Sequence, residues 1–119
     1  MDRLIEVLKL MACSADEQRA ALPSFVAVAD EIALLFSDEL RLVEAHGVGS
    51  ALDFETRRQL RMLDGQLDQM SGKPAHWSRE ALESDPEWQR IRESAQAILS
   101  RLGQTVGTPM LGWLDFVKG

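Results

Sequence analysis

The groups in this chain whose type and spacing could do chemistry are carboxylates at helical intervals. In SFVAVADEIALLFSDELRLVEAH, Asp30 and Glu31 recur two turns later as Asp38 and Glu39, with Leu34 between Asp30 and Asp38 and Arg41 as the nearby cation. Asp64 and Asp68 form a second pair one turn apart. Two acids so spaced can hold a divalent cation or raise one another's pKa. A metal site takes further ligands, however, and none are signposted at matching spacing, so the favoured reading is a solvated acidic strip. Such a strip around a leucine has a second use, because its field attracts a cationic protein and the leucine supplies an apolar anchor. The candidate partner-binding residues are therefore Asp30, Glu31, Leu34, Asp38, Glu39 and Arg41.

Nothing else in the sequence assembles into a catalytic or metal-binding constellation. His46 and His76 are 30 residues apart, and HExxH, CxxC and a glycine-rich phosphate loop are absent from the sequence. His46 reads as the last residue of a helix, where a cation is mildly favoured, and His76 beside Trp77 reads as loop packing. Cys13, the single cysteine, reads as a small buried apolar residue at a helix end. The three tryptophans are the largest apolar side chains in a chain with no tyrosine, which makes core filling their first role. No catalytic residue, metal ligand or cofactor is assigned, and the expectation is a protein that is not an enzyme.

The elements that must carry these residues are all helical by period. Ser24 to His46 reads as one long helix, with Phe25, Val28, Ala29, Ile32, Leu35, Phe36, Leu40 and Val43 at steps of three and four. Val26, Ala33, Leu34 and Leu42 widen its apolar arc, so this helix should be central and covered on more than one side. Pro23 suits its start and Gly47 its end. Before it, Asp2 to Ala12 places Leu4, Ile5, Leu8 and Met11 on one face, and Ser14-Ala15-Asp16-Glu17 is a capping box for a short helix ending near Leu22. After it, Ser50 followed by Asp53 signals the start of a helix from Leu52 to Met70, with a narrow stripe of Leu52, Thr56, Leu60, Leu63, Leu67 and Met70. Gly65 inside that stripe marks a close approach of two helices or a bend. Ser78 caps a short turn over Arg79 to Glu83, and Asp85-Pro86-Glu87 opens a helix carrying Trp88, Ile91, Ala95, Ile98 and Leu102, closed by Gly103. In the last stretch a short helix with Met110, Trp113, Leu114 and Val117 inward is favoured over a strand, since no other segment alternates.

Composition sets the frame. The 119 residues are 45% hydrophobic and 27% charged, enough for one domain, residues 1–119, with a core that needs no staple. A lone cysteine suits a reducing compartment, the early charges of DRLIEVLKL do not resemble a signal peptide, and no stretch reaches the roughly 20 apolar residues of a membrane span. The expected location is cytoplasmic. The net charge of −6 lies in the first half: through Ser50 nine acids face four bases, and from Ala51 onward ten face nine. Such acidity argues against direct nucleic-acid binding, which needs cations on phosphates, and for a basic protein partner.

The segments ALPSFVAVADEIALLF, LDGQLDQMSG and WSREALESDPEWQRIRESAQAIL look like those of small bacterial proteins of about this length. As a type, a short, acidic, helical, cytoplasmic chain resembles the immunity proteins of contact-dependent inhibition and related polymorphic toxin systems. That resemblance implies a stoichiometric inhibitor of a toxin domain, such as a nuclease with a cationic cleft, and transfers no functional residue. The fold class expected is all-α, a compact single-domain bundle of about five to seven helices around one long helix. The alternative function is a self-associating structural or regulatory module, a homo-oligomer paired through Met110 to Val117.

Overall fold

The computed structural model describes residues 2–47 and 52–113, and the regular structure among them is helical, with no strand. Six α-helices follow in order: α1 (Asp2–Ala12), α2 (Ala15–Ala21), α3 (Val28–Ala45), α4 (Phe54–Met70), α5 (Arg79–Ser84) and α6 (Pro86–Arg101), with a 3-10 turn over Pro74–His76 between α4 and α5. The expected all-α bundle is the observed one.

Local chemistry explains the boundaries. Ser14 Oγ accepts from the Glu17 N–H while Glu17 Oε1 accepts from the Ser14 N–H, a reciprocal cap on α2. Asp53, Ser78 and Asp85 cap α4, α5 and α6 through the N–H groups of Thr56, Ala81 and Glu87. The cap of α4 is thus Asp53 itself, and Ser50 lies outside the described residues. Gly47 and Gly103 follow α3 and α6 at φ of +71° and +72°, a left-handed conformation that glycine adopts without a Cβ penalty.

The long helix starts four residues later than its periodicity suggests. Leu22 is extended, as a residue before proline tends to be, and the Val26 N–H donates to the Pro23 carbonyl to close a turn in place of a first helical turn. Phe25, assigned inward, is instead 46% exposed.

The centre of the bundle is α1 and not the long helix α3, which was expected there: α1 packs most extensively on α6 and next on α3, while α4 closes against α6 and α3, so α3 keeps one side open. Leu4, Val7, Leu8, Leu10 and Met11 are all fully buried, and so are Phe36, Trp88 and Ile91. The amphipathic stripe of α1 already pointed inward; its burial on a wider arc than one face follows from being flanked by two helices.

A buried polar network fixes the end of α1, whose last carbonyls would otherwise lack partners. Gln18 on α2, fully buried, donates Nε2 to the carbonyls of Leu10 and Met11 at 3.1 and 3.2 Å. Gln96 donates to Ala12, and Arg92 donates Nε to the Cys13 carbonyl at 3.1 Å and Nη2 to Gln18 Oε1 and the Leu82 carbonyl. Arg92 is only 6% exposed. Burial, and secondarily the charge of Arg19, lowers its pKa, yet a guanidinium stays charged at any ordinary pH. Its compensation comes from the negative end of α1 and from carbonyl oxygens.

Candidate functional site

Asp30 from the first set of carboxylates and both members of the second, Asp64 and Asp68, line one groove. A cleft of about 530 Å³ runs between α3 and the C-terminal half of α4, and its walls include Asp30 and Glu44 from α3 with Asp64 and Asp68 from α4. Arg41 is the cation in this lining; Leu34, Leu40, Leu67 and Trp77 supply apolar surface. None of Asp30, Glu44, Asp64 and Asp68 lies within ion-pair distance of a cation of the described chain. Four carboxylates against one guanidinium make a negative cleft with apolar footing.

The sequence-derived residues divide. Asp30, Leu34, Asp38 and Arg41 all lie on the solvent side of α3, with Leu34 57% exposed. Arg41 donates to Ser37 Oγ at 3.0 Å and stands 3.9 Å from Asp38, a loose surface pair worth little. Asp38 is not part of the groove lining. Glu31 is half-buried, and Glu39 is buried at 8% exposure. Glu39 therefore leaves the acidic surface. Neighbours in sequence lie about 100° apart on a helix, and Glu39 falls on the row Ile32, Phe36, Glu39, Val43 that faces the core. Leu42, counted with the apolar arc, is 46% exposed and stands two turns from Leu34 on the open face. Sequence reasoning missed Asp64, Asp68, Glu44 and Trp77 as members of the site. The signal available was the short connection after Ala45, which makes α3 and α4 antiparallel neighbours.

The remaining candidates resolve as structural. His46 is the C-terminal cap of α3, its N–H donating to the Leu42 carbonyl at 3.1 Å. His76 does more than pack: its Nδ1 is 2.5 Å from Asp85 Oδ2, which joins the 3-10 turn to the cap of α6. Burial pushes the Asp85 carboxyl up, but hydrogen bonds from His76 and the Glu87 N–H, with the charges of His76 and Arg90, outweigh it and hold the carboxyl below its ordinary range. Cys13 is buried, donates Sγ to the Lys9 carbonyl at 3.1 Å, and has its thiol pKa raised by burial and then by Glu17, the opposite of nucleophile activation. Among the described residues no group of three or more His, Cys, Asp or Glu is placed to hold a metal ion.

Trp88 fills the core, donates Nε1 to the His76 carbonyl at 2.6 Å, and meets Trp77 edge to face with centroids 5.7 Å apart. Trp77 donates to the Met70 carbonyl at 2.8 Å and turns its remaining surface to the groove. The expected C-terminal helix does not form within the described part of its range. Residues 104–111 have no regular structure, a turn spans 112–113, and Met110, assigned inward, is 74% exposed. Its N–H donates to Glu6 Oε1 at 2.8 Å, a tertiary bond in place of a helical one, in a segment interrupted by Gly107, Pro109 and Gly112. Trp113 is partly buried, with the Arg3 guanidinium 5.0 Å from its ring centroid. Leu114 and Val117 lie outside the described residues. No helix among the described residues is long and apolar enough to cross a membrane.

Comparison with protein-family models, curated proteins and solved structures finds no match for this chain.

Proposed function

We propose that this protein acts by binding, as an immunity protein that neutralises a toxin domain whose basic surface docks in the α3–α4 groove. One observation carries the reading. Asp30, Glu44, Asp64 and Asp68 converge from two helices on a cleft that holds Arg41 as its one cation, and none of the four is neutralised by an ion pair. Uncompensated like charges cost stability and are tolerable where they speed association with an opposite surface. Leu34 and Trp77 give that partner apolar footing, which charge alone would not. A nuclease whose cationic cleft ordinarily receives phosphate has the matching surface, and occupying the cleft would block it without any catalysis by the inhibitor.

The test is to express the product of the neighbouring gene as a candidate toxin domain, titrate it with the protein at low and moderate salt, and assay protection of cells. Replacing Asp30, Asp64 and Asp68 by lysine should slow association and abolish protection while leaving the helical signal intact. Unchanged affinity and full protection in that variant would overturn the reading.

A further inference from the structure

The flank of α4 that borders the α3 groove carries Arg57 and Asp64, half-buried, with Arg61 and Asp68, exposed, at steps of four, three and four, which keeps all four on one side of the helix. Their order is base, base, acid, acid. Read from the opposite end it is acid, acid, base, base, so the strip is complementary to a reversed copy of itself. We infer that α4 is a self-association surface, on which α4 of a second copy of this chain lies antiparallel about a two-fold axis between Arg61 and Asp64. That arrangement sets Arg57 opposite Asp68 of the second copy and Arg61 opposite Asp64 of the second copy, and the symmetry repeats both pairs. A parallel arrangement would set like charges together.

Three further features of the same helix fit this occupant. First, none of the four charges has an ion-pair partner within the described chain, although their neighbours Arg58 and Asp53 are paired with Glu55 and Arg101. Second, Phe54 and Met62 are 73% and 59% exposed on this helix, apolar surface that ion pairs alone would leave wet. Third, Gly65 sits in mid-helix, where glycine weakens a helix, yet it is exposed and a methyl group built there would meet nothing within 4 Å. Nothing among the described residues needs a glycine at that place. An antiparallel helix crossing beside it does, because a missing side chain lets two backbones approach closely. In this contact the apolar groups supply affinity and the charged row sets direction and register. The inference does not rest on the immunity reading, but it uses the same Asp64 and Asp68, so a second copy on α4 and a basic partner in the groove compete for one surface.

The experiment is sedimentation velocity on the full chain at low and moderate salt, with circular dichroism as the check on folding. The wild type should form dimers that dissociate as salt rises. The Asp64→Lys/Asp68→Lys variant has an all-basic row and the Arg57→Glu/Arg61→Glu variant an all-acidic one, so each alone should dimerise roughly tenfold or more weakly. Mixed in equal amounts they should form heterodimers, and the fourfold reversal should restore the homodimer. Gly65→Gln decides if a charge variant fails to fold, since its side chain enters open space in the monomer but fills the crossing in the dimer. A wild type that stays monomeric at its highest soluble concentration, a dimer indifferent to Gly65→Gln, or folded charge variants that do not pair on mixing would each overturn the inference.

Discussion

Arg92 on α6 donates Nη2 to Gln18 Oε1 on α2 at 3.2 Å, and through Gln18 it reaches the last carbonyls of α1. The two side chains join three helices at the place where α1 ends.

Truncating that contact should therefore cost more than a surface arginine would. Arg92→Ala leaves the acceptors of Gln18, Cys13 and Leu82 unpaired in the interior, and at about 1–3 kcal/mol for each orphaned group the loss should reach roughly 3 kcal/mol or more. Arg92→Lys should not restore it, because an ammonium lacks the planar fork that serves three acceptors at once. Urea unfolding of both variants measures this.

The faces of α3 should separate in the same assay. Ile32→Ala and Phe36→Ala, at fully buried positions, should each destabilise by about 2–5 kcal/mol. Asp38→Ala, on the exposed side, should stay within about 0.5 kcal/mol. Equal damage from Asp38→Ala would mean that the faces are misassigned.

Leu34 should act on dissociation more than on encounter. It is exposed beside the charged groove, so Leu34→Ala should raise the dissociation rate of a bound basic partner by about tenfold, while association and its salt dependence change little. A faster-flow kinetic trace showing slowed association with unchanged release would contradict an anchoring role.

Asp85 gives a pH dependence of known sign. Its carboxyl is held below the ordinary value of 3.8 in the folded chain, so the unfolded chain binds the proton more readily. The stabilisation is fully present above that ordinary value and is lost as pH falls through it toward the lower folded value. Asp85→Asn should accordingly flatten the fall in stability below about pH 4, measured as thermal midpoints across the acid range. An equally steep fall in the variant would remove Asp85 as its source.

Gly65→Ala should stabilise the monomer. The added methyl meets nothing within 4 Å and the backbone is ordinary helix, so the gain should be about 0.5–1 kcal/mol in dilute denaturant melts. A loss would mean that the site is more crowded than its geometry indicates.

The sequence by itself determined the helices and most of their ends, because those depend on neighbours three and four residues away. The Ser14 and Glu17 box, the Asp85-Pro86-Glu87 start and the Gly47 and Gly103 stops all act within one turn, and each stands where its residues put it. The acidic, Leu34-bearing side of α3 was legible for the same reason. Tertiary structure decided whatever depends on which surfaces meet. Glu39 is buried and Leu42 exposed because the arc of α3 that faces inward is set by α1 and α4, not by hydropathy alone. Asp30 meets Asp64 and Asp68 in one groove only through the antiparallel pairing of α3 and α4. Arg92 lies off the Trp88, Ile91 and Ala95 stripe of its own helix, yet it is interior because the Cys13 carbonyl beyond the end of α1 and Gln18 present acceptors there. A turn of helix answers to its own residues, whereas a groove or a buried charge answers to partners distant in sequence, and only packing brings those together.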